Sequence, residues 1–278
     1  MENYILLVDC KDEKGLIHKI TGVIYNQGLN IISNNEFVEE EADHFFMRSE
    51  FTGEVNDDAI INQLRDTLSK DSNIKLIKQR KKRIIIFVTK EHRCLGDILI
   101  KNEYNEINAE ILAVVSNYPD LESLVSKFKI PFYYVSHLNK AREDHEEEIL
   151  EILEKCKHDY LVLTKYMRIL TRKFVSLFEN RIINIHHSFL PAFVGANPYE
   201  QAFKRGVKII GATSHFVNED LDTGPIIVQE IVHIDHKYTV KNMKQAGREV
   251  EILALSKALK LIFEDRVFIS NNKTIIFE

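Results

Sequence analysis

Residues 181–191 read Arg-Ile-Ile-Asn-Ile-His-His-Ser-Phe-Leu-Pro, and this stretch decides how the larger part of the chain is interpreted. Its first three residues predict the apolar body of a buried strand, in which alternate residues share a face. We therefore expect Asn184 and His186 to project from the same side. Pro191 cannot continue a central strand, so the strand ends nearby. In open α/β sheets, ligands bind just beyond the carboxyl ends of the strands, which makes this pair a candidate site.

A turn further along the chain supplies a carboxylate. Residues 222–225 read Asp-Thr-Gly-Pro, a combination typical of a tight turn. Asp222 could join Asn184 and His186 in an acid/base trio. An amide, an imidazole and a carboxylate are suited to stabilising charge on oxygen and to moving protons.

These two stretches resemble the folate-dependent formyltransferase family, whose pattern is Asn-Ile-His-x-Ser-x-Leu-Pro followed by Asp-x-Gly-Pro. The likeness runs from about Arg83 to the C-terminus. It implies that Asn184, His186 and Asp222 handle the formyl group of 10-formyltetrahydrofolate. The second histidine of the motif, together with Gly-Ala-Thr-Ser-His at 211–215, is most similar to the hydrolytic, deformylase branch. That branch releases formate and tetrahydrofolate and so supplies formate for purine synthesis.

The resemblance also implies a pocket for the pterin ring, because a flat heterocycle needs apolar walls with a few fixed polar groups. The implied substrate-binding residues are Met167, Arg168, Ile169, Leu170, Asn218 and Leu221. Four further residues are expected to support the site: His187, Ser188, His215 and Gly224. From the sequence alone, such supporting residues could equally be satisfied structural groups.

The sequence also contains residue types that suit two other chemistries, a metal site and a cysteine nucleophile. His186, His187, His215 and Asp222 include metal-ligand types, but adjacent strand residues point to opposite faces. We therefore do not expect His186 and His187 to converge on one ion, and no metal is predicted. Cys94 could be a nucleophile, but the sequence shows no specific base that would activate it.

Neither a nucleotide nor another cofactor is predicted, since the resemblance implies that folate is the substrate. The ten glycines form no Gly-x-Gly, which disfavours both the dinucleotide fingerprint and the P-loop.

The first eighty residues predict a separate α/β domain. Its expected order is βαββαβ, the ferredoxin-like arrangement. The predicted strands are 4–10, 29–37, 44–51 and 74–77, with helices marked by Leu16, Ile20, Val23 and Ile24 and by Ile60, Ile61, Leu64 and Leu68.

This domain resembles the ACT family of amino-acid-sensing modules. The likeness rests on Asp12-x-x-Gly15-Leu16-Ile17 and on Gly28-Leu29-Asn30-Ile31. It implies an effector site at Asp12, Gly15, Leu16 and Asn30, with glycine or methionine as the leading effectors. Because ACT domains generally pair, a homodimer or homotetramer is expected. A domain used only for oligomerisation stays open, since fold alone does not imply ligand binding.

The second predicted domain covers residues 83–278, and the first covers 1–80. Residues 83–89 form a continuous apolar run, typical of a strand buried on both faces. Strands and helices then alternate through a helix at 240–263. This alternation predicts a Rossmann-like, mostly parallel sheet.

Composition narrows the class of protein. With 45% hydrophobic and 28% charged residues, the 278-residue chain predicts a globular protein, and no run reaches the roughly 18 apolar residues of a membrane span. The first residues lack the basic region of a signal peptide. Three scattered cysteines favour a reducing cytoplasm, and a net charge of −5 argues against nucleic-acid partners.

Water is expected to be the acceptor of the formyl group. Residues 90–97 follow the first strand of the second domain, where related transferases carry a glycine-rich phosphate loop. Here the segment has one glycine and bulky Glu91, His92 and Arg93, which are expected to fill an acceptor channel. The alternatives are a formyltransferase acting on an amine and a non-catalytic folate sensor.

Overall fold

The computed structural model describes residues 2–192 and 198–278, and the side chain of Pro198 is not described. The chain forms two compact units. The first contains residues 1–80 with Phe277–Glu278, and the second contains Lys81–Ile276.

The first unit is a four-stranded antiparallel sheet with two helices. Its elements are β1 (Glu2–Lys11), α1 (Leu16–Asn26), β2 (Asn30–Glu39), β3 (His44–Gly53), α2 (Asp57–Thr67) and β4 (Asn73–Lys78). The strand order is β2-β3-β1-β4. The predicted βαββαβ arrangement is confirmed, and the apolar faces of both helices pack on one side of the sheet.

The second unit begins with a strand and continues as alternating strands and helices. Its elements are β5 (Lys82–Val88), α3 (Arg93–Glu103), β6 (Ala109–Ser116), α4 (Glu122–Ser126), β7 (Phe132–Tyr134), α5 (Arg142–Glu154), β8 (Tyr160–Thr164), α6 (Arg172–Leu177), β9 (Ile182–His186), α7 (Pro198–Arg205), β10 (Ile209–Phe216), β11 (Ile226–His233), α8 (Val240–Phe263), β12 (Val267–Ser270) and β13 (Lys273–Ile276).

Seven of these strands form one mostly parallel sheet in the order β11-β10-β9-β8-β5-β6-β7. The five strands from β9 to β7 run parallel, β10 pairs antiparallel with β9, and β11 pairs antiparallel with β10. The predicted Rossmann-like class is confirmed. Parallel order brings the carboxyl ends of β5, β8 and β9 to the same edge of the sheet, which is where a ligand site is expected.

Helices cover this sheet on both faces, as the apolar sequence of β5 requires. Ile84, Ile86 and Val88 belong to a hydrophobic cluster with α3 and α8. The alternate residues Ile85 and Phe87 belong to a second cluster with α5 and α6. The rigid core between these layers fixes where each strand ends and therefore where the site residues lie.

Candidate functional site

The predicted catalytic residues lie where β9 ends beside its antiparallel neighbour β10. In this register His215 faces Asn184, and Thr213 faces His186. Asp222 belongs to the loop that joins β10 to β11. Three separate segments of the chain therefore meet at one end of the sheet.

Four polar side chains form one contact network here. His186 Nδ1 lies 3.3 Å from Asp222 Oδ2, and Asn184 Nδ2 lies 3.2 Å from His215 Nε2. The second carboxylate oxygen, Asp222 Oδ1, lies 3.8 Å from His215 Nε2. The structure brings together Asn184, His186 and Asp222 and adds the predicted supporting residue His215.

His215 fixes the orientation of Asn184. The ring is 1% exposed, and its Nδ1 lies 2.7 Å from the Phe216 carbonyl oxygen, which can only accept a hydrogen bond. Nδ1 therefore carries the hydrogen. Burial lowers the pKa of His215 and favours the neutral ring, whose Nε2 accepts one N–H of Asn184. The second N–H of the Asn184 amide is the one that can reach a substrate oxygen.

Asp222 is kept ionised by its neighbours. Burial, the largest single influence, raises the pKa of this carboxyl. The hydrogen bond from His186 and the charge of that ring are the main influences that lower the pKa, and the net pKa lies below the ordinary value. An ionised carboxylate can accept a proton from water.

The turn that carries Asp222 is sterically restricted. Asp222 has a φ of 56°, in the left-handed region that aspartate tolerates better than most residues. At Gly224 an added Cβ would lie 1.8 Å from the Phe216 carbonyl oxygen. Only glycine fits at this close approach, so Gly224 shapes the turn and does not line the site.

His187 does not point away from His186, so the expectation from strand alternation is wrong. β9 ends at His186, and the two rings stack with centroids 4.9 Å apart at 26°. Burial first, then the charges of Lys165 and His186, lower the pKa of His187 to about 4. A neutral imidazole can accept a hydrogen bond from water. Among residues 2–192 and 198–278, no group of three or more His, Cys, Asp or Glu side chains is arranged to hold a metal ion.

A cavity of about 310 Å³ opens beside the polar network. Its lining includes all six predicted substrate-binding residues: Met167, Arg168, Ile169, Leu170, Asn218 and Leu221. Asn184, His186, His187, His215 and Asp222 line it as well. The segment after β8 is held by a hydrogen bond from the Met167 amide to Thr89 Oγ1, 2.9 Å long. Large apolar side chains beside a few convergent polar groups suit a flat heterocycle.

Ser188 supports the site through its backbone and does not line this cavity. Its carbonyl oxygen accepts a 2.9 Å hydrogen bond from Thr213 Oγ1, which in turn accepts from the Leu190 amide at 3.0 Å. Gln229 Nε2 donates to the Leu190 carbonyl oxygen at 2.9 Å. These bonds hold the chain after β9 against β10 and β11.

Sequence reasoning missed a buried charge cluster next to the cavity. Lys165, which lines the cavity, contacts Glu251 on α8, with Nζ 2.9 Å from Oε1. Tyr199 donates its hydroxyl hydrogen to the same oxygen at 3.0 Å. A signal was present, because Glu251 lies at helical spacing with the buried Gly247 and Leu255 of α8. A carboxylate on a buried helix face needs a partner.

The structure also describes the loop after β5. Glu91 accepts a hydrogen bond from the Arg93 amide at 3.3 Å and lies 3.8 Å from Arg248 Nε on α8. The single glycine, Gly96, belongs to α3. Burial raises the pKa of the Cys94 thiol to about 12, so it is not an activated nucleophile.

In the first unit, three of the four predicted effector residues meet. Asp12, Gly15 and Leu16 line a cavity of about 270 Å³. Asn30 pairs opposite Thr52 on β3, and Thr52 pairs opposite Asn3 at the start of β1, whereas Asp12 follows the end of β1. Ten extended residues separate these positions by roughly 30 Å. The structure does not bring Asn30 to the same cavity.

Comparisons with known proteins match both units. A family model described as formyl transferase matches residues 82–259, and a model described as ACT domain matches residues 4–68. The chain is 52% identical to a formyltetrahydrofolate deformylase of Haemophilus influenzae, over 99% of each chain. No helix within the described part of the chain is long and apolar enough to cross a membrane.

Solved structures of deformylases and transformylases also resemble this chain. A formyltetrahydrofolate deformylase from Pseudomonas syringae superposes with a TM-score of 0.95 at 35% identity, covering 100% of this chain and 95% of that one. A glycinamide ribonucleotide transformylase from Symbiobacterium toebii gives 0.68 at 29% identity, covering 73% of this chain and 98% of that one.

Proposed function

The chain belongs to the formyl transferase family, and from that premise we propose that it hydrolyses 10-formyltetrahydrofolate to formate and tetrahydrofolate. The likeness to deformylases extends over the full chain, whereas the transformylase likeness covers 73% of it. The observation that carries the chemistry is the contact of His186 with Asp222, beside Asn184, at the wall of the 310 Å³ cavity.

The mechanism follows from these positions. Asp222 takes a proton from water, and the resulting hydroxide attacks the formyl carbon. The N–H groups of Asn184 and of protonated His186 stabilise the oxyanion that forms. Asp222 then returns the proton to the folate nitrogen, the C–N bond breaks, and formic acid leaves and loses its remaining proton to solvent to become formate. The pterin lies in the cavity lined by Met167 to Leu170, Asn218 and Leu221.

The proposal includes no metal and no cofactor besides the folate substrate. Protein side chains carry out each proton transfer before formic acid leaves, and they stabilise the oxyanion. Dialysis against a metal chelator is therefore expected to leave the rate of formate release unchanged.

Two rival functions differ in testable ways. An amine formyltransferase is favoured by the transformylase likeness and would need an acceptor amine. A non-catalytic folate sensor would bind folate without turnover, but it would not need an acid/base network.

The ACT domain supports regulation by a small amino acid. Asp12, Gly15 and Leu16 are the proposed effector residues, with glycine or methionine as candidates. Asn30 would reach such a ligand only from a second copy, which fits a homodimer or homotetramer. A cytoplasmic location is part of the proposal and is supported by the three free thiols.

Incubation with 10-formyltetrahydrofolate and no amine tests the function. We expect formate and tetrahydrofolate in equal amounts over many turnovers. Binding without turnover, or turnover only when an amine is supplied, would replace the hydrolase by one of the two rivals.

A further inference from the structure

The Lys165–Glu251 pair is buried beside the reaction site, and no step of the proposed mechanism uses it. The side chains are 15% and 2% exposed, and Tyr199 donates to the same carboxylate oxygen. An added Cβ at Gly247 would lie 2.1 Å from the Tyr199 hydroxyl oxygen, so this arrangement is closely packed. The Tyr199 hydroxyl that contacts Glu251 therefore has little room to move.

Stability does not account for this pair. Removing two charges from water costs several kcal/mol per ion. Well-packed apolar residues at the same positions often stabilise the folded state equally well. Lys165 also has a φ of 60°, a left-handed conformation that costs roughly 1–2 kcal/mol for an L-residue with a side chain. Strained residues and buried charges that persist beside a cavity point to a functional role.

The cluster adjoins the stacked histidines. Lys165 lines the cavity with His186 and His187, and the Tyr199 ring centroid lies 6.4 Å from that of His187. The charge of Lys165 is the second largest cause, after burial, of the lowered pKa of His187. Two other side chains shift this pKa: His186 lowers it and Asp222 raises it.

We propose that Lys165, held by Glu251 and Tyr199, excludes amine acceptors from the formyl-transfer site, so that water is the acceptor. The inference rests on the proposed hydrolysis and names the residue that sets its acceptor. An amine that enters the site needs a hydrogen-bond acceptor for its N–H groups, and near neutral pH most amines carry a proton. The buried Glu251 carboxylate would attract such a group. The Lys165 ammonium already pairs with this carboxylate and repels a second cation. Uncharged water is not repelled and can enter the site.

The test replaces the charge and keeps a hydrogen-bond donor. Lys165→Gln can still donate to Glu251, and Lys165→Arg keeps the charge. Lys173→Gln is the control at an exposed lysine: Lys173 is 73% exposed and its partner Glu147 is 66% exposed. Each protein is given 10-formyltetrahydrofolate with glycinamide as the amine, and formate and formylglycinamide are measured. We expect the ratio of formylglycinamide to formate to rise at least about tenfold in Lys165→Gln, which corresponds to ~1.4 kcal/mol. Lys165→Arg and Lys173→Gln should keep the wild-type ratio.

Histidine titration by NMR gives a readout separate from activity. The pKa of His187 should rise in Lys165→Gln and stay low in Lys165→Arg. If the glutamine variant does not fold, Lys165→Asn replaces it with the same expected change in product ratio, because asparagine leaves the Glu251 carboxylate in place and tolerates the left-handed backbone at this position.

The outcomes separate the two claims. A wild-type ratio of products in folded Lys165→Gln overturns the inference, whatever the titration shows. Absence of formate from the wild-type protein without glycinamide overturns the proposed function instead.

Discussion

At the scale of single residues, Asp222 is the proton acceptor of the proposed mechanism. Its lowered pKa keeps it ionised, and His186 holds it in place 3.3 Å away. Asn184 has a different role, because His215 uses one of its N–H groups and directs the other. These roles predict different kinetic effects on substitution.

Asp222→Asn should abolish nearly all turnover and preserve folding and folate binding, because asparagine keeps the shape but cannot take a proton. Asn184→Ala should lower the rate by about 10²–10³, the usual effect of losing one oxyanion donor. Single-turnover formate release, with folate binding measured by calorimetry, checks both. Asp220→Asn is the matched control, since Asp220 lies in the same loop and is 70% exposed in its pair with Arg172. Wild-type turnover by Asp222→Asn would remove Asp222 from the mechanism.

His187 should make the folded state sensitive to acid. Its pKa is about 4 when folded and about 6.5 when unfolded, so between these values the unfolded chain binds a proton that the folded chain does not. The contribution of His187 to stability therefore falls as pH drops from about 6.5 to 4 and changes little below that. His187→Gln should make the free energy of unfolding depend less steeply on pH across this window. Denaturant melts from pH 4 to 7.5 test it, with exposed His236→Gln as control, and equal slopes would contradict the assignment.

At the scale of elements, β9 was predictable and its partner β10 was not. The apolar pair Ile182 and Ile183 before Asn184 marks a strand, and a proline near its end marks where it stops. β10 carries Thr213, Ser214 and His215 on a fully buried course, so it lacks an apolar pattern. Helix α7 and the four-residue strands β12 and β13 also escaped prediction, because short elements give little periodicity. The Lys165–Glu251 contact joins positions 86 residues apart, a pairing that only the fold creates.

Gly224→Ala tests the turn between β10 and β11. A Cβ would lie 1.8 Å from the backbone oxygen of Phe216, and backbone cannot yield as a flexible side chain can. The variant should lose formate release and melt at a lower temperature. Gly96→Ala is the control in α3, where no atom lies within 4 Å of the added Cβ, and it should stabilise by roughly 0.5–1 kcal/mol. An active, equally stable Gly224→Ala would show that the turn does not position Asp222.

At the scale of the whole molecule, a catalytic unit is joined to an ACT domain in one chain. The alternation of strands and helices and the βαββαβ order were sufficient to predict both folds. The identity of the effector, and whether it raises or lowers activity, could not be predicted from the sequence. Three of the proposed effector residues line one cavity and Asn30 does not.

Glycine or methionine should raise the melting temperature of the full chain and change its rate of formate release. A ligand that binds only the folded state at a hundred times its Kd stabilises by about 2.7 kcal/mol. Asp12→Ala should remove both responses and keep the basal rate. A thermal-shift screen in which no amino acid has an effect would leave only the oligomerisation role.

The most direct test of the central claim follows the oxygen of the acceptor water. The wild-type protein is given 10-formyltetrahydrofolate and glycinamide ribonucleotide in ¹⁸O-labelled water, and both formyl products are analysed by mass spectrometry. Hydrolysis at Asn184, His186 and Asp222 predicts formate that carries one ¹⁸O atom, at a rate the amine does not change, and no formylated ribonucleotide. Formylated ribonucleotide produced at a rate comparable to that of formate would contradict the account and make the protein a transferase.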